Sequence, residues 1–589
     1  MTRHLFLVDA IRLLVLLVLL ALALYAARWA FLPQRHVPRF RVMTMRLRVR
    51  LRLHPGRGFA TLPELWANWG RFASWRESGR ARPALPRSQR MVRPSSHAIY
   101  LGRAHYRHKL WQSIQENILI IGRSRSGKSG WLAKVIIRFG GAVVSLTTKP
   151  DLFALTSGLR QLRWRPVLTF DPQGIGGGRT RSTLRYDPIP GCQVPSVAMR
   201  RGTAFTDAVR TKGTEGGDFW SEQASVQMPA LFCAAALAGL GLHAVYGWVI
   251  GGDTRQPERI LRANGRHTWA KSIAQMRGAA DKTAATVRMV LTAALKFLED
   301  DELAECVTPG PGERFDIPEF LRLQGALYIL ADPRNDTSPV ASVTSCLVNE
   351  IHWTACQIAG SSPGDRIDPP MLLQVDEATK TCPGLPVPSL LADSGGRGIT
   401  MIIACQGLAQ IEERWGKPAT RMVLDTSNQM YVSGIQDPDT LKMVSDLCDT
   451  ATYLVRGKDG ATADYPAATP GMIRRLPRRR ALILRGDCAP VITHLPMAWS
   501  DWRYRWAKLQ HRAVADLTVA TPVPASVPAA APVLAPADDP APAALAGVPD
   551  SKFGSVELPA LPASRHTPLG QWPPAARPAP RRRNPADRR

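Results

Sequence analysis

Acidic side chains are scarce in this sequence: 47 Asp and Glu stand against 76 Lys and Arg over 589 residues, a formal charge of +29. The deficit makes an anionic partner, nucleic acid or acidic lipid, the one such a surface attracts, although an arginine-rich genome would give the same excess. Paired cysteines are also missing. The 9 cysteines lie scattered from Cys192 to Cys488 with no C-x-x-C and no histidine cluster at metal spacing. That implies no disulfide framework, argues against a structural zinc, and suits buried thiols in a reducing compartment. No internal repeat is visible.

One apolar run is present at the amino terminus. Leu13 to Ala27 reads LLVLLVLLALALYAA between Arg12 and Arg28. Those residues span only about 22 Å as helix, short of a hydrocarbon core of about 30 Å. Residues 5–32 reach that length if both arginines snorkel to the interface. A signal peptide and an interfacial helix are the other readings. The stretch that follows, Arg35 to Arg52, is far more basic than the residues before the run. By the positive-inside rule this predicts a single-pass cell-membrane protein with the bulk of the chain cytoplasmic. Within it, residues 41–53 alternate basic and apolar, as in a strand with one cationic face or a collar against headgroups.

Residues 33–111 are expected to form a basic juxtamembrane region, with 54–110, rich in Pro, Gly and Trp, an irregular approach to the next domain. From Asn117 the pattern is strand, Gly-rich turn, helix, strand: NILIIG, RSRSGKS, GWLAKVIIRF, AVVSLT, then PVLTF. Strand patterns return with ALYILA, MLLQVD, TMIIAC, QMYVSG and ALILRG. The expected fold class is α/β with a mainly parallel sheet: a P-loop NTPase domain over 112–199 and 311–515, interrupted by an all-α insertion at 200–310. The apolar stretch Met228 to Ile250 is read as a buried helix of that insertion, because a membrane span there would part Lys128 from Asp376. Residues 516–589 are Ala/Pro-rich and expected to be disordered.

The chemistry begins at Gly122, Arg123, Ser124, Arg125, Ser126, Gly127, Lys128 and Ser129, which match G-x-x-x-x-G-K-[ST]. Such a loop wraps backbone N–H groups around phosphates, which makes ATP with Mg2+ the expected cofactor. Lys128 would reach the β- and γ-phosphates and Ser129 would ligate Mg2+. MLLQVDEA ends a second apolar strand in Asp376, for the Mg2+ shell, and Glu377, to polarise the attacking water. A third strand delivers Gln406 to the same edge, where an amide could touch both γ-phosphate and water; a helix-cap or surface amide is its plainer reading.

These motifs together resemble the TraG/TraD-type coupling proteins of type IV secretion systems, relatives of the FtsK-like DNA translocases with a RecA-like fold. The likeness rests on the P-loop, the apolar strand ending in DE, and the segment carrying Gly396, Gly398, Gln406, Gln410, Trp415 and Gly416. Lys149 and Asp151, Asp171-Pro172 and GGDFWSEQA at 216–224 extend it from about residue 112 to 500. The resemblance implies a homo-hexameric ring with ATP between subunits, membrane stalks, and all-α lobes that receive a relaxase–DNA complex. It implies a channel that threads single-stranded DNA by its backbone toward the secretion-channel components. Near the family's arginine finger this sequence offers Arg397, for which a surface or DNA-contacting arginine is the alternative. Arg474 to Arg480 could line the DNA path, face solvent or touch headgroups. The family often has two membrane helices where one is found here, and Gly407 replaces its usual Ser or Asp. Alternatives to the coupling role are an FtsK-like double-stranded DNA translocase and a substrate-docking platform with a vestigial ATPase.

Overall fold

A computed structural model of the chain describes residues 18–22 and 58–510, except 163–164, 210–216, 278–280, 311, 333–338, 449, 455–461 and 487. Most of the expected anchor at 5–32, the basic stretch from Arg35 to Arg52 and the tail at 516–589 lie outside the described residues. Residues 18–22 are helical and exposed. Among the described residues no helix is long and apolar enough to cross a membrane.

The strands, in chain order, are β1 (Ala98–Arg103), β2 (Lys109–Ser113), β3 (Asn117–Ile121), β4 (Ala142–Thr147), β5 (Val167–Phe170), β6 (Ala326–Leu330) and β7 (Met371–Asp376). They continue with β8 (Ile399–Cys405), β9 (Ser427–Val432), β10 (Thr450–Leu454), β11 (Thr462–Pro466), β12 (Arg480–Arg485) and β13 (Cys488–His494). One 11-stranded sheet has the order β2-β1-β13-β12-β9-β3-β8-β7-β4-β6-β5, and β10 and β11 form a separate hairpin. From β9 to β5 every neighbouring pair is parallel. From β9 outward to β2 every pair is antiparallel.

The parallel part is buried on both faces, as its unbroken apolar strands require. Side chains alternate between two cores. Ile118 and Ile120 of β3 join Leu372 and Ile402 beneath Trp131, Leu132 and Ile136 of the helix Lys128–Arg138. Leu119 and Ile121 face the other way with Val144, Leu373 and Ile403, toward the helical segment. Truncating a fully buried residue such as Ile120 to Ala is expected to cost about 2–5 kcal/mol.

Between β5 and β6 the chain is helical. Pro195–Ala208, Gly217–Leu237, Leu242–Gly251, Arg255–Ala263, His267–Arg277 and Asp281–Leu295 follow one another. Gly202 lies against the backbone of Pro229, where an added Cβ would meet Pro229 N at 2.6 Å. Arg200 and Arg201 fasten this segment to the sheet's helix Ala341–Gly360, gripping opposite oxygens of Glu350 at 2.9 and 2.7 Å. The stretch Met228 to Ile250 is buried within this segment in large part, but as two helices. Gly239, at φ 66, and Gly241 break it where a continuous apolar run suggested one.

One expectation is corrected. Residues 58–110 do not form an irregular approach: helical turns over 62–81 and 87–92 lead into β1 and β2, which extend the sheet. Leu65 and Trp69 are the cause. Both are fully buried, and the guanidinium of Arg485 on β12 lies over the Trp69 ring at 5.0 Å.

Candidate functional site

β3, β7 and β8 run parallel in adjacent positions, so their carboxyl ends open on one edge, where ligands bind in sheets of this kind. The loop after β3, Gly122 to Gly127, turns directly into the helix Lys128–Arg138. Gly127 takes φ 110, a left-handed conformation that a side chain would strain, and Arg125 takes φ 62. Arg123, Ser124 and Arg125 are exposed, whereas Ser126 and Lys128 are buried.

Lys128 folds back into the loop, its Nζ donating to the Gly122 carbonyl at 2.5 Å and the Cys405 carbonyl at 3.0 Å. Burial lowers its pKa, and the Asp376 carboxylate opposes that shift. Asp376, at the end of β7, has its carboxyl pushed up to about 6 by burial, against the pull of Lys128. Glu377, Asp151 and Lys149 are the other charges it feels, which places the Lys149–Asp151 turn at this edge. Glu377 follows at φ 57 and its backbone N–H donates to the Ala404 carbonyl at 2.8 Å. That turn lifts its carboxylate toward β8, where Gln406 Nε2 donates to Glu377 Oε1 at 2.8 Å. Gln410 in turn accepts from the Gln406 backbone N–H at 3.2 Å.

The structure thus brings the loop from Gly122 to Ser129, Asp376, Glu377 and Gln406 to one edge. Two buried polar atoms there, Asp376 Oδ1 and Ser126 Oγ, have no hydrogen-bond partner. Orphaned groups of this kind are costly unless a ligand completes them. A carboxylate, a half-buried Ser129 opening the helix, and an ammonium parked on carbonyls are the donor set that a Mg2+-bound triphosphate requires. Arg397 is not brought to this edge. It precedes β8, so the strand's length, roughly 20 Å, separates it from Gln406, and its Nε donates to Asp393 Oδ2 at 2.6 Å.

Two elements of the site escape sequence reading. The Cys405 carbonyl that holds Lys128 is a backbone group with no side-chain signal. Behind the loop, the Arg479 N–H reaches the Ser126 carbonyl at 3.4 Å, and Met497 and Trp499 press so closely on Gly130 that an added Cβ would meet them at 2.7 and 2.8 Å. The guanidinium of Arg479 lies over Trp499 at 5.5 Å. The last residue but one of the RRLPRRR run is therefore a buttress of the loop.

Comparison with known proteins follows the same segments. Residues 370–469, which carry Asp376, Glu377, Arg397 and Gln406, match the family described as the TraM recognition site of TraD and TraG. No curated protein sequence matches the chain. Among solved structures, the bacterial conjugative coupling protein TrwBΔN70 is similar in fold, with 15% identity over 69% of this chain and 90% of that one, at a TM-score of 0.51. TrwB in complex with ADP and Mg2+ aligns at 16% identity, 65% and 85% coverage and a TM-score of 0.49. VirB4 of Thermoanaerobacter pseudethanolicus aligns at 13% identity, 68% and 96% coverage and a TM-score of 0.40. Over residues 370–469 the chain is thus similar to the TraM recognition site of TraD and TraG, and its sheet has the fold of TrwBΔN70.

Proposed function

We propose that the chain is a membrane-anchored motor that hydrolyses ATP to move DNA, coupling a relaxase–DNA complex to a conjugative type IV secretion channel. One observation carries this reading: Lys128, Asp376, Glu377 and Gln406 converge on an edge whose buried polar atoms await a ligand. ATP with Mg2+, when bound, supplies the phosphoanhydride whose cleavage drives movement. The chain's own residues do the rest. The N–H groups of Gly122 to Ser129 cradle the phosphates, and Lys128 leaves its carbonyls to neutralise them. Ser129 and Asp376 would hold the Mg2+. Glu377, held by Gln406, takes the proton from the attacking water. Gln406 links that base to the strand end and so to the state of the site.

Arg397 stands on the opposite edge, where in a ring it would face a neighbouring subunit; this supports a homo-hexamer in which it serves the adjacent site. Leaving Asp393 is the step that would free it. The basic balance of the chain supports phosphate-backbone contact with DNA, single-stranded in this reading, and the apolar run at 13–27 supports a single-pass cell-membrane location with the bulk of the chain cytoplasmic. The helical segment at 200–310 is the surface proposed to meet the relaxase.

The test is ATP turnover by the full chain with and without single-stranded DNA, alongside conjugative transfer. DNA-stimulated turnover that Lys128→Ala abolishes together with transfer supports the motor. Normal transfer by Lys128→Ala would point instead to a docking platform. DNA binding should also weaken steeply with added salt, since phosphate contacts release counterions.

A further inference from the structure

Far from the nucleotide edge, on the antiparallel side of the sheet, the surface is both strongly basic and studded with large apolar side chains. A groove of about 710 Å3 beside the edge strand β2 is lined by Trp66, Arg93, Arg107, Lys109 and Arg138, among others. Around it, Trp66, Phe72 and Met91 are 66%, 69% and 64% exposed, exposures at which a soluble surface gains nothing from such side chains. Trp502 is 64% exposed. Arg503 lies over its ring at 5.7 Å and feels the charges of Arg138 and Arg93. Among the described residues no carboxylate pairs with Arg93, Arg107 or Lys109. Asp501 pairs with Arg138 and lies near Lys134, and Glu64 is turned back on Thr61, so the groove's unpaired charge is carried by Arg93, Arg107 and Lys109.

We propose that this face docks on the anionic phospholipid surface of the membrane. The inference rests on the membrane-anchored reading above and deepens it. Tryptophan and phenylalanine rimmed by arginine form the amphipathic combination that settles at headgroup depth. The chain delivers the patch to that place: its first turn, at Leu62, follows the basic stretch that ends at Arg52, which itself follows the apolar run. A groove for single-stranded nucleic acid also combines cations with aromatic rings. Position favours lipid. Arg138 is the last residue of the helix that Lys128 begins, which puts the patch about 15 Å along that axis from the loop that hydrolysis would move.

The test is hydrogen–deuterium exchange of the full chain in nanodiscs of phosphatidylcholine alone or with phosphatidylglycerol. Peptides covering 62–75 and 87–96 should be several-fold slower in the anionic discs, and added salt should reduce the difference. The triple variant Arg93→Glu, Arg107→Glu, Lys109→Glu should lose it, with roughly fivefold weaker lipid association for each basic residue removed. Trp66→Ala with Phe72→Ala, which leaves the charges in place, should weaken protection in both lipids. Equal exchange in both discs, with residues 13–27 retained in the bilayer, would overturn the docking face and leave the anchor standing. Protection by a single-stranded oligonucleotide but not by lipid would make it a nucleic-acid face and overturn the proposal. If the chain does not enter discs at all, the anchor reading fails. The docking face is then decided by sedimentation with phosphatidylglycerol vesicles: binding that the triple variant loses supports it, and no binding overturns it.

Discussion

The two edges of the parallel sheet share the same strands yet treat their polar groups in opposite ways. At the amino edge the polar side chains that flank β3 and β8 pair across the strands. Asn117 donates to the Leu391 carbonyl at 2.7 Å and accepts from the Met401 N–H at 2.9 Å, and Thr400 gives its hydroxyl to the Ile114 carbonyl. Glu116 accepts from Asn428 at 2.6 Å and from Arg485 at 2.5 Å. At the carboxyl edge Asp376 Oδ1 and Ser126 Oγ are buried and unpaired, and Arg125, Gly127 and Glu377 all have positive φ. Satisfied polar groups hold a fold together, whereas unsatisfied ones in strained backbone mark where a ligand must complete the structure. Substitutions at the two edges should therefore separate activity from stability.

The largest effect belongs to Lys128→Ala. The ammonium is positioned by two carbonyls for charge developing on phosphate, and removing such a contact typically costs a hundredfold or more in turnover. The variant should stay folded, because it removes a charge that burial disfavours. Steady-state phosphate release with a thermal melt in parallel checks both. A melt lowered as far as turnover would erase the distinction between the edges.

Asp376→Asn sharpens the comparison by moving activity and stability in opposite directions. The folded protein holds the Asp376 proton more tightly than the unfolded chain does, since its carboxyl is raised from the usual value near 4 to about 6. Its contribution is therefore full below pH 4 and lost as the pH rises through 6. The shift corresponds to at most about 3 kcal/mol. That shift already includes the pull of Lys128, so nucleotide-free Asp376→Asn should be more stable than the native chain by about 2–3 kcal/mol at pH 7 and equal to it at pH 4. Mg2+-dependent turnover should vanish. Denaturant melts at the two pH values decide it, and equal stability at both would mean that Asp376 is solvated.

At the amino edge Glu116→Ala should do the reverse. It leaves Arg485, whose side chain is 12% exposed, with the Asn68 carbonyl at 2.7 Å, Glu77 at 3.9 Å and the Trp69 ring but no close counter-ion. Breaking a well-buried pair costs about 3–5 kcal/mol. Glu116 is itself 29% exposed, so about 2 kcal/mol is expected here, with turnover per folded molecule unchanged.

The carboxyl edge was legible in the sequence because its requirements are local. A Gly-rich loop between an apolar strand and a helix, and a carboxylate pair ending another strand, are each written in fewer than a dozen consecutive residues. The parallel strands β3 to β9 announce themselves by burial on both faces. β1, β2 and β13 do not: AIYLGR, KLWQS and CAPVITH mix exposed and buried positions, and a proline or a basic residue blurs each. Their place was set by Trp69 and Leu65 packing beneath them, contacts between segments that are not neighbours in sequence. The buttress of Arg479, Met497 and Trp499 behind the loop was hidden for the same reason, and Arg479 was legible only as one charge in a run. Arg397 was readable as an arginine that precedes the strand while Gln406 follows it, which already sets the two at opposite ends.

Gln406→Ala gives the smallest effect and the finest test of the carboxyl edge. Its amide touches Glu377 at 2.8 Å, and Gln410 accepts from its backbone N–H, so it positions the proposed base. Without it Glu377 keeps its backbone turn through the Ala404 carbonyl and remains at the edge, but its carboxylate is free to rotate. Turnover should fall by about tenfold, since general-base contributions run to about a hundredfold or more and only part depends on aim. Nucleotide affinity should change little. Gln406→Glu separates aim from presence: it retains the length but sets two carboxylates against each other, so its loss should exceed that of alanine and lessen as the pH falls toward the carboxylate range. An alanine variant with unchanged turnover would leave Glu377 positioned by its turn alone, and the hydrogen bond between the two strands would then be structural, like those of the opposite edge.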